Sequence, residues 1–178
     1  MFTECDLPED LAAVRQLAKV GYQDCYVART PLGTKSISVD LLARLFFSDA
    51  MPSWIRKAVG VQVKAQARSG KPEPDWNLAD PKDTRPIRIG DKIGPWRVVD
   101  RTPTEIVFRE NAWHLDFVFA IEVSTTAISG ETEIHAATLV QFHRFAGALY
   151  FLPVRPFHRW LVPRHMDAVL RCALRDNS

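Results

Sequence analysis

The chain has 178 residues, enough for one full hydrophobic core, and its 47% hydrophobic and 25% charged residues exclude a disordered or fibrous protein. A formal net charge of +2 is too small to point to nucleic acid, and Cys5, Cys25 and Cys172 are too few and too scattered for a disulfide framework or a zinc site. The opening MFTECDLPED carries acids where a secretory leader needs bases, so a cytoplasmic location is expected. The uncharged run Phe145–Val154 is half the roughly twenty residues a membrane span requires.

In chain order, residues 8–20 read as a short helix: Pro8 suits the first helical position, Glu9 and Asp10 the positive end of the dipole, and Gly21 the stop. YQDCYVA (22–28) reads as a strand, followed by a TPLG turn. Ser38 caps a helix over 39–47 whose Leu41, Leu42, Leu45 and Phe46 face inward, and a second amphipathic helix is predicted over 53–69. Five prolines between 71 and 95 mark a long irregular loop. From Trp96 the period changes to two. Strands are expected over 96–101, 104–110, 112–124 and 131–143. In the third of these, Trp113, Leu115, Phe117, Phe119 and Ile121 share an apolar face opposite His114 and Asp116; in the fourth, Ile134, Ala136, Val140 and Phe142 oppose the polar Glu133, His135 and His143. Pairing Ile121 with Ile134 brings the two apolar faces together. The chain closes on a helix that Pro156 starts and Pro163 bends, with Val162, Met166, Val169, Leu170 and Ala173 at helical spacing and Arg164, Asp167, Arg171 and Arg175 opposite.

An antiparallel meander with one apolar face, followed by an amphipathic helix, predicts an α+β fold in which a curved sheet grips a long C-terminal helix, as one domain over residues 1–178. A cone-shaped cystatin-like arrangement is the rival, but it places its helices first and ends on strands.

Specific stretches support the helix grip. IGDKIGPWRVVDRTPTEIVFRENAWHLDF (89–117) combines a Gly-Asp-x-Ile-Gly turn, a Thr-x-x-Glu-Ile-Val hairpin and a His-Leu-Asp-Phe strand. It resembles the central signature of the domain of unknown function 2867 family. LYFLPVRPFHRWLVP (149–163), with its Pro-Phe-His-Arg core, is similar to the closing segment of that family. The resemblance spans Tyr22 to Leu174. It implies a START-like, helix-grip ligand-binding fold of a kind also found fused to NAD-binding reductase-like domains, and it implies no particular activity. No Gly-rich dinucleotide fingerprint accompanies it here.

No stretch of the sequence names a reaction, so candidate residues follow from side-chain chemistry alone. His114 and Asp116, two apart on one strand face, could pair as an imidazole and its orienting carboxylate, and His158 stands where the last helix begins; these are the candidates for acid–base work. The simpler alternative makes the first two a solvated polar pair and the third a turn-capping histidine. The aromatic residues Trp96, Phe108, Trp113, Phe117, Phe119 and Phe142 of the strands, with Phe157 and Trp160 of the helix, either fill the core or line a cavity between sheet and helix. In the second case Tyr26, Arg97 or His158 would orient a ligand.

Three functional readings result. The first is a binding domain for a hydrophobic or aromatic small molecule. The second is a cyclase- or hydratase-like enzyme acting on such a ligand. The third is an interaction module, either a homodimer or the partner of a reductase-like protein. None requires a metal, cofactor or nucleic acid. Phe157 and Trp160 are expected to be buried against the strands, which makes Trp160 a large contributor to stability.

Overall fold

The computed structural model describes residues 1–30, 37–48, 76–94, 96–126 and 131–176. The period-two segments form strands: β1 (Thr3–Glu4), β2 (Tyr22–Arg29), β3 (Lys92–Ile93), β4 (Trp96–Arg101), β5 (Glu105–Asn111), β6 (Leu115–Thr125) and β7 (Thr132–Phe142). They make one seven-stranded antiparallel sheet in the order β1-β2-β7-β6-β5-β4-β3. The early strand β2 therefore pairs with β7, more than a hundred residues later. Helices α1 (Val39–Phe47) and α2 (Phe145–Asp176) complete a helix-grip-like α+β arrangement.

Ser38 caps α1 as expected, its hydroxyl accepting from the Leu41 amide. One face of α1 packs Leu42, Leu45, Phe46 and Phe47 against the sheet beside the second half of α2, where Val162, Met166, Val169, Leu170 and Ala173 are buried. Gly94 (φ +56°) closes the turn between β3 and β4; a Cβ there would be strained and would meet the Phe47 ring at 2.8 Å. The amphipathic helix predicted over 53–69 lies outside the described residues.

Several expectations are corrected. Residues 8–20 form only a 3-10 turn, Ala12–Gln16, between extended Leu11 and Leu17. Its first amides are captured by a strand: the Glu105 carboxylate accepts from Ala12 N (2.9 Å) and Ala13 N (3.3 Å). This segment covers the sheet face opposite the helices, where Leu11, Leu17, Cys25, Val107, Val118 and Leu139 are buried. The face expected to be polar and solvated is a second core. The register also differs: Ile121 pairs with Ala136 and Val123 with Ile134, a shift of two that leaves every side chain on its expected face.

Trp113 and His114 precede β6 in a turn and are not strand residues. The last helix begins at Phe145, eleven residues before Pro156, and carries Pro153, Pro156 and Pro163 inside it. Prolines interrupt a helix by removing an amide and crowding the carbonyl four residues back. Pro153 and Pro156 lie on the exposed side of α2, where water can satisfy the released carbonyls. Phe157 and Trp160 share that side. Trp160 is 50% exposed, so it is not packed on the strands. Gly147 sets how closely α2 approaches the β5–β6 turn: a Cβ would sit 2.2 Å from the His114 carbonyl oxygen.

Candidate functional site

Alternation along β2 directs Tyr22, Asp24 and Tyr26 toward α2, and the pairing of β2 with β7 sets Thr138 directly beside Asp24. From above, α2 contributes His158. The Asp24 Oδ2 accepts from the hydroxyls of Tyr22 (2.6 Å) and Tyr26 (3.3 Å) and lies 3.5 Å from His158 Nε2. That nitrogen also meets Thr138 Oγ1 at 3.1 Å. A carboxylate, an imidazole, two phenols and a hydroxyl thus meet in one buried cluster, with the Asp24 side chain 2% exposed.

Charge and burial oppose each other here. Burial pushes the Asp24 carboxyl up, but His158 and the hydroxyls of Tyr22 and Thr138 outweigh it and hold the group below the usual carboxylate range. Burial and the neighbouring Asp24 push both Tyr22 and Tyr26 well above the ordinary phenol range, so both are neutral donors at physiological pH. The second Asp24 oxygen, Oδ1, is buried without a hydrogen-bond partner. Above the cluster, the Arg155 guanidinium lies 5.4 Å from the Tyr22 ring centroid, and Arg159 grips Glu4 of β1 through both carboxylate oxygens (2.7 and 2.5 Å).

An aromatic wall adjoins the cluster. Phe117 lies 6.1 Å from His158 and 5.0 Å from Trp96, and both rings are half-buried. Phe108 and Phe119 behind them are fully enclosed, packed on Phe47 and Phe46 at 5.4 and 4.7 Å. Those two are core. Phe142 packs at 5.6 Å against Phe151, at the far end of the same wall.

The other predicted site residues are dispersed. His114 and Asp116 do not pair. His114 sits in the β5–β6 turn between the rings of Trp113 and Tyr150. Asp116 points to the opposite sheet face, where Arg109 Nη2 (2.6 Å) forms an ion pair with it and His143 Nε2 lies 3.1 Å away. Arg97 shares that face with Arg109, with which it is in register, and donates to the Gly90 carbonyl. Trp113, Phe157 and Trp160 are exposed, so none of them lines the space between sheet and helix. Of the predicted residues, Tyr26 and His158 contact Asp24, while Phe117 lies against His158 and Trp96 against Phe117.

Sequence reasoning missed Asp24, Tyr22 and Thr138. The available signal was Tyr-x-Asp-x-Tyr on a strand: period two puts the aspartate on the same face as two aromatic residues. Clefts also occur elsewhere. One of about 320 Å³ is lined by Leu78, Arg85, Pro86, Arg88, Asp91 and Lys92, and a neighbour of about 250 Å³ includes Asp40, Arg44 and Asp83. Neither includes a residue of the Asp24 cluster. Among the described residues, no group of three or more His, Cys, Asp or Glu is placed to hold a metal ion.

The fold is helix-grip-like, with a buried polar cluster between the sheet and the gripping helix. The chain belongs to the family described as protein of unknown function (DUF2867), whose model matches residues 16–165. No curated protein and no solved structure matches the chain. No helix among the described residues is long and apolar enough to cross a membrane.

Proposed function

We propose that the protein binds an apolar small molecule, aromatic or aliphatic, between the helix-facing side of the sheet and α2, and that a hydroxyl or amino group of the ligand donates to Asp24. The observation that carries this reading is the ionised, buried Asp24 carboxylate with one oxygen unpartnered. An unsatisfied buried acceptor costs about 1–3 kcal/mol, and apolar residues of similar volume would serve stability better. A donor on the ligand would remove that cost, while Phe117, against His158, and Trp96, next to it, supply an apolar surface.

Entry requires the first half of α2 to move. Between Phe145 and Leu161 only Gly147 and Phe151 are fully buried, and Pro153 and Pro156 weaken the helix there.

Isothermal titration with 2-naphthol, 1-decanol and 2-naphthoate tests the reading. The two alcohols should bind and the carboxylate should not, because its charge repels Asp24. Asp24→Asn should weaken 2-naphthol binding about tenfold, the loss expected when a charge-assisted hydrogen bond becomes neutral. Failure of both alcohols to bind, or binding unchanged in the variant, refutes the proposal.

A second reading rests on the contact between His158 and Asp24. A carboxylate-oriented imidazole can transfer protons, so a cyclase- or hydratase-like enzyme would use His158 as acid or base, with Asp24 orienting it. Turnover of a bound ligand that is lost in His158→Gln while binding persists would select this reading.

A further inference from the structure

We propose that the outer side of the first half of α2 docks on a lipid bilayer bearing anionic headgroups. This surface lies on the opposite side of the helix from His158 and stands independently of the ligand reading. At helical spacing, Phe145, Leu149, Leu152, Pro156 and Trp160 form one stripe, while Gly147, Phe151, Val154 and His158 face the sheet. The stripe is open to solvent: Phe145 is 82% and Leu152 65% exposed, with Tyr150 and Phe157 exposed beside it. Isolated exposed apolar residues are ordinary, but a continuous run of large ones marks an interaction surface. Trp113, 72% exposed, extends the surface from the β5–β6 turn, since its ring and that of Tyr150 flank His114 at 4.9 and 5.0 Å.

Charge decides what kind of partner fits. Between His143 and Met166 the chain carries four arginines and no acid. Arg164 lies over the Trp160 ring at 4.7 Å and Arg144 is exposed, whereas Arg155 lies over the Tyr22 ring and Arg159 is held by Glu4. Further along the helix, Arg171 and Arg175 are exposed, and Asp167 is occupied by the amide of Phe2 and the chain's amino terminus. A convex apolar stripe with aromatic rings at its edges and guanidinium groups beside them is the composition of a helix that lies in the plane of a membrane interface. The arginines complement lipid phosphates. A second copy of the chain fits less well, because a two-fold contact would set the same arginine-rich surface against itself.

The test is co-sedimentation of the full chain with vesicles of phosphatidylcholine alone or with about 30% phosphatidylglycerol, at low and high salt. Binding is expected to the anionic vesicles at low salt and should fall about fivefold or more at high salt or without the anionic lipid. The double variant Phe145→Glu/Leu152→Glu should bind about tenfold less, with an unchanged melting temperature because both side chains are exposed. No sedimentation with anionic vesicles, equal binding to neutral ones, or a variant that binds as well as wild type overturns the proposal. So does a dimer, seen by light scattering, that the same two substitutions dissociate.

Discussion

Replacing Asp24 by alanine tests the polar cluster at its centre. The substitution removes the acceptor for the Tyr22 and Tyr26 hydroxyls (2.6 and 3.3 Å) and the carboxylate 3.5 Å from His158. Each buried hydroxyl left unsatisfied costs about 1–3 kcal/mol, and relief from burying a charge offsets part of the sum. A net loss of about 3 kcal/mol follows, the low end for breaking a buried pair by removing one partner. For a chain of this size that corresponds to a melting temperature lower by about 6–12 °C.

The pH dependence carries a sign. Asp24 has a folded-state pKa below its ordinary value of 3.8, so its ionisation stabilises the fold above that value, and this contribution is lost as pH falls through the folded pKa. Other carboxylates titrate in both proteins, so the difference between them reports on Asp24 and the His158 it contacts. Thermal unfolding of wild type and Asp24→Ala should show a gap at pH 7 that narrows below about pH 4. Equal melting temperatures at pH 7, or a gap that stays constant down to pH 2.5, would refute the assignment of Asp24 as an ionised hub.

Gly147→Ala should destabilise the protein by about 3 kcal/mol in urea unfolding, because its Cβ would lie 2.2 Å from backbone that cannot move aside without shifting α2. Trp160→Ala should cost less than about 1 kcal/mol in the same assay, since the ring is half-exposed on the outer side of α2, whereas Met166→Ala, at a fully buried position, should cost about 2–5 kcal/mol. Comparable losses at Trp160 and Met166 would mean that α2 is rotated about its axis.

Much of the secondary structure was legible in local pattern. The strands β4 to β7 followed from alternation, because a half-buried strand repeats every two residues whatever it pairs with. The cap at Ser38 was equally local, since its hydroxyl serves an amide three residues away. Register was not local. Alternation specifies parity, and a slip of two residues leaves Ile121 and Ile134 on the same face, so only the paired sheet distinguishes the alternatives. The start of α2 was hidden because proline propensity argues for a break at residue 156, whereas in the fold the prolines at 153 and 156 face water.

The candidate site divides in the same way. Tyr26, Trp96, Phe117 and His158 could be chosen from residue type and face. Asp24 could not, because one charged residue in a short strand reads as an exposed position until its neighbours are known. Its partners come from residues 22, 26, 138 and 158, and only the pairing of β2 with β7 and the path of α2 over that pair bring them together. The same sheet order carries Asp116 away from His114 and onto Arg109 and His143. Periodicity therefore determined which side of each strand a residue occupies. The polar cluster depends on contacts between residues more than a hundred positions apart, and such contacts exist only once the chain has folded.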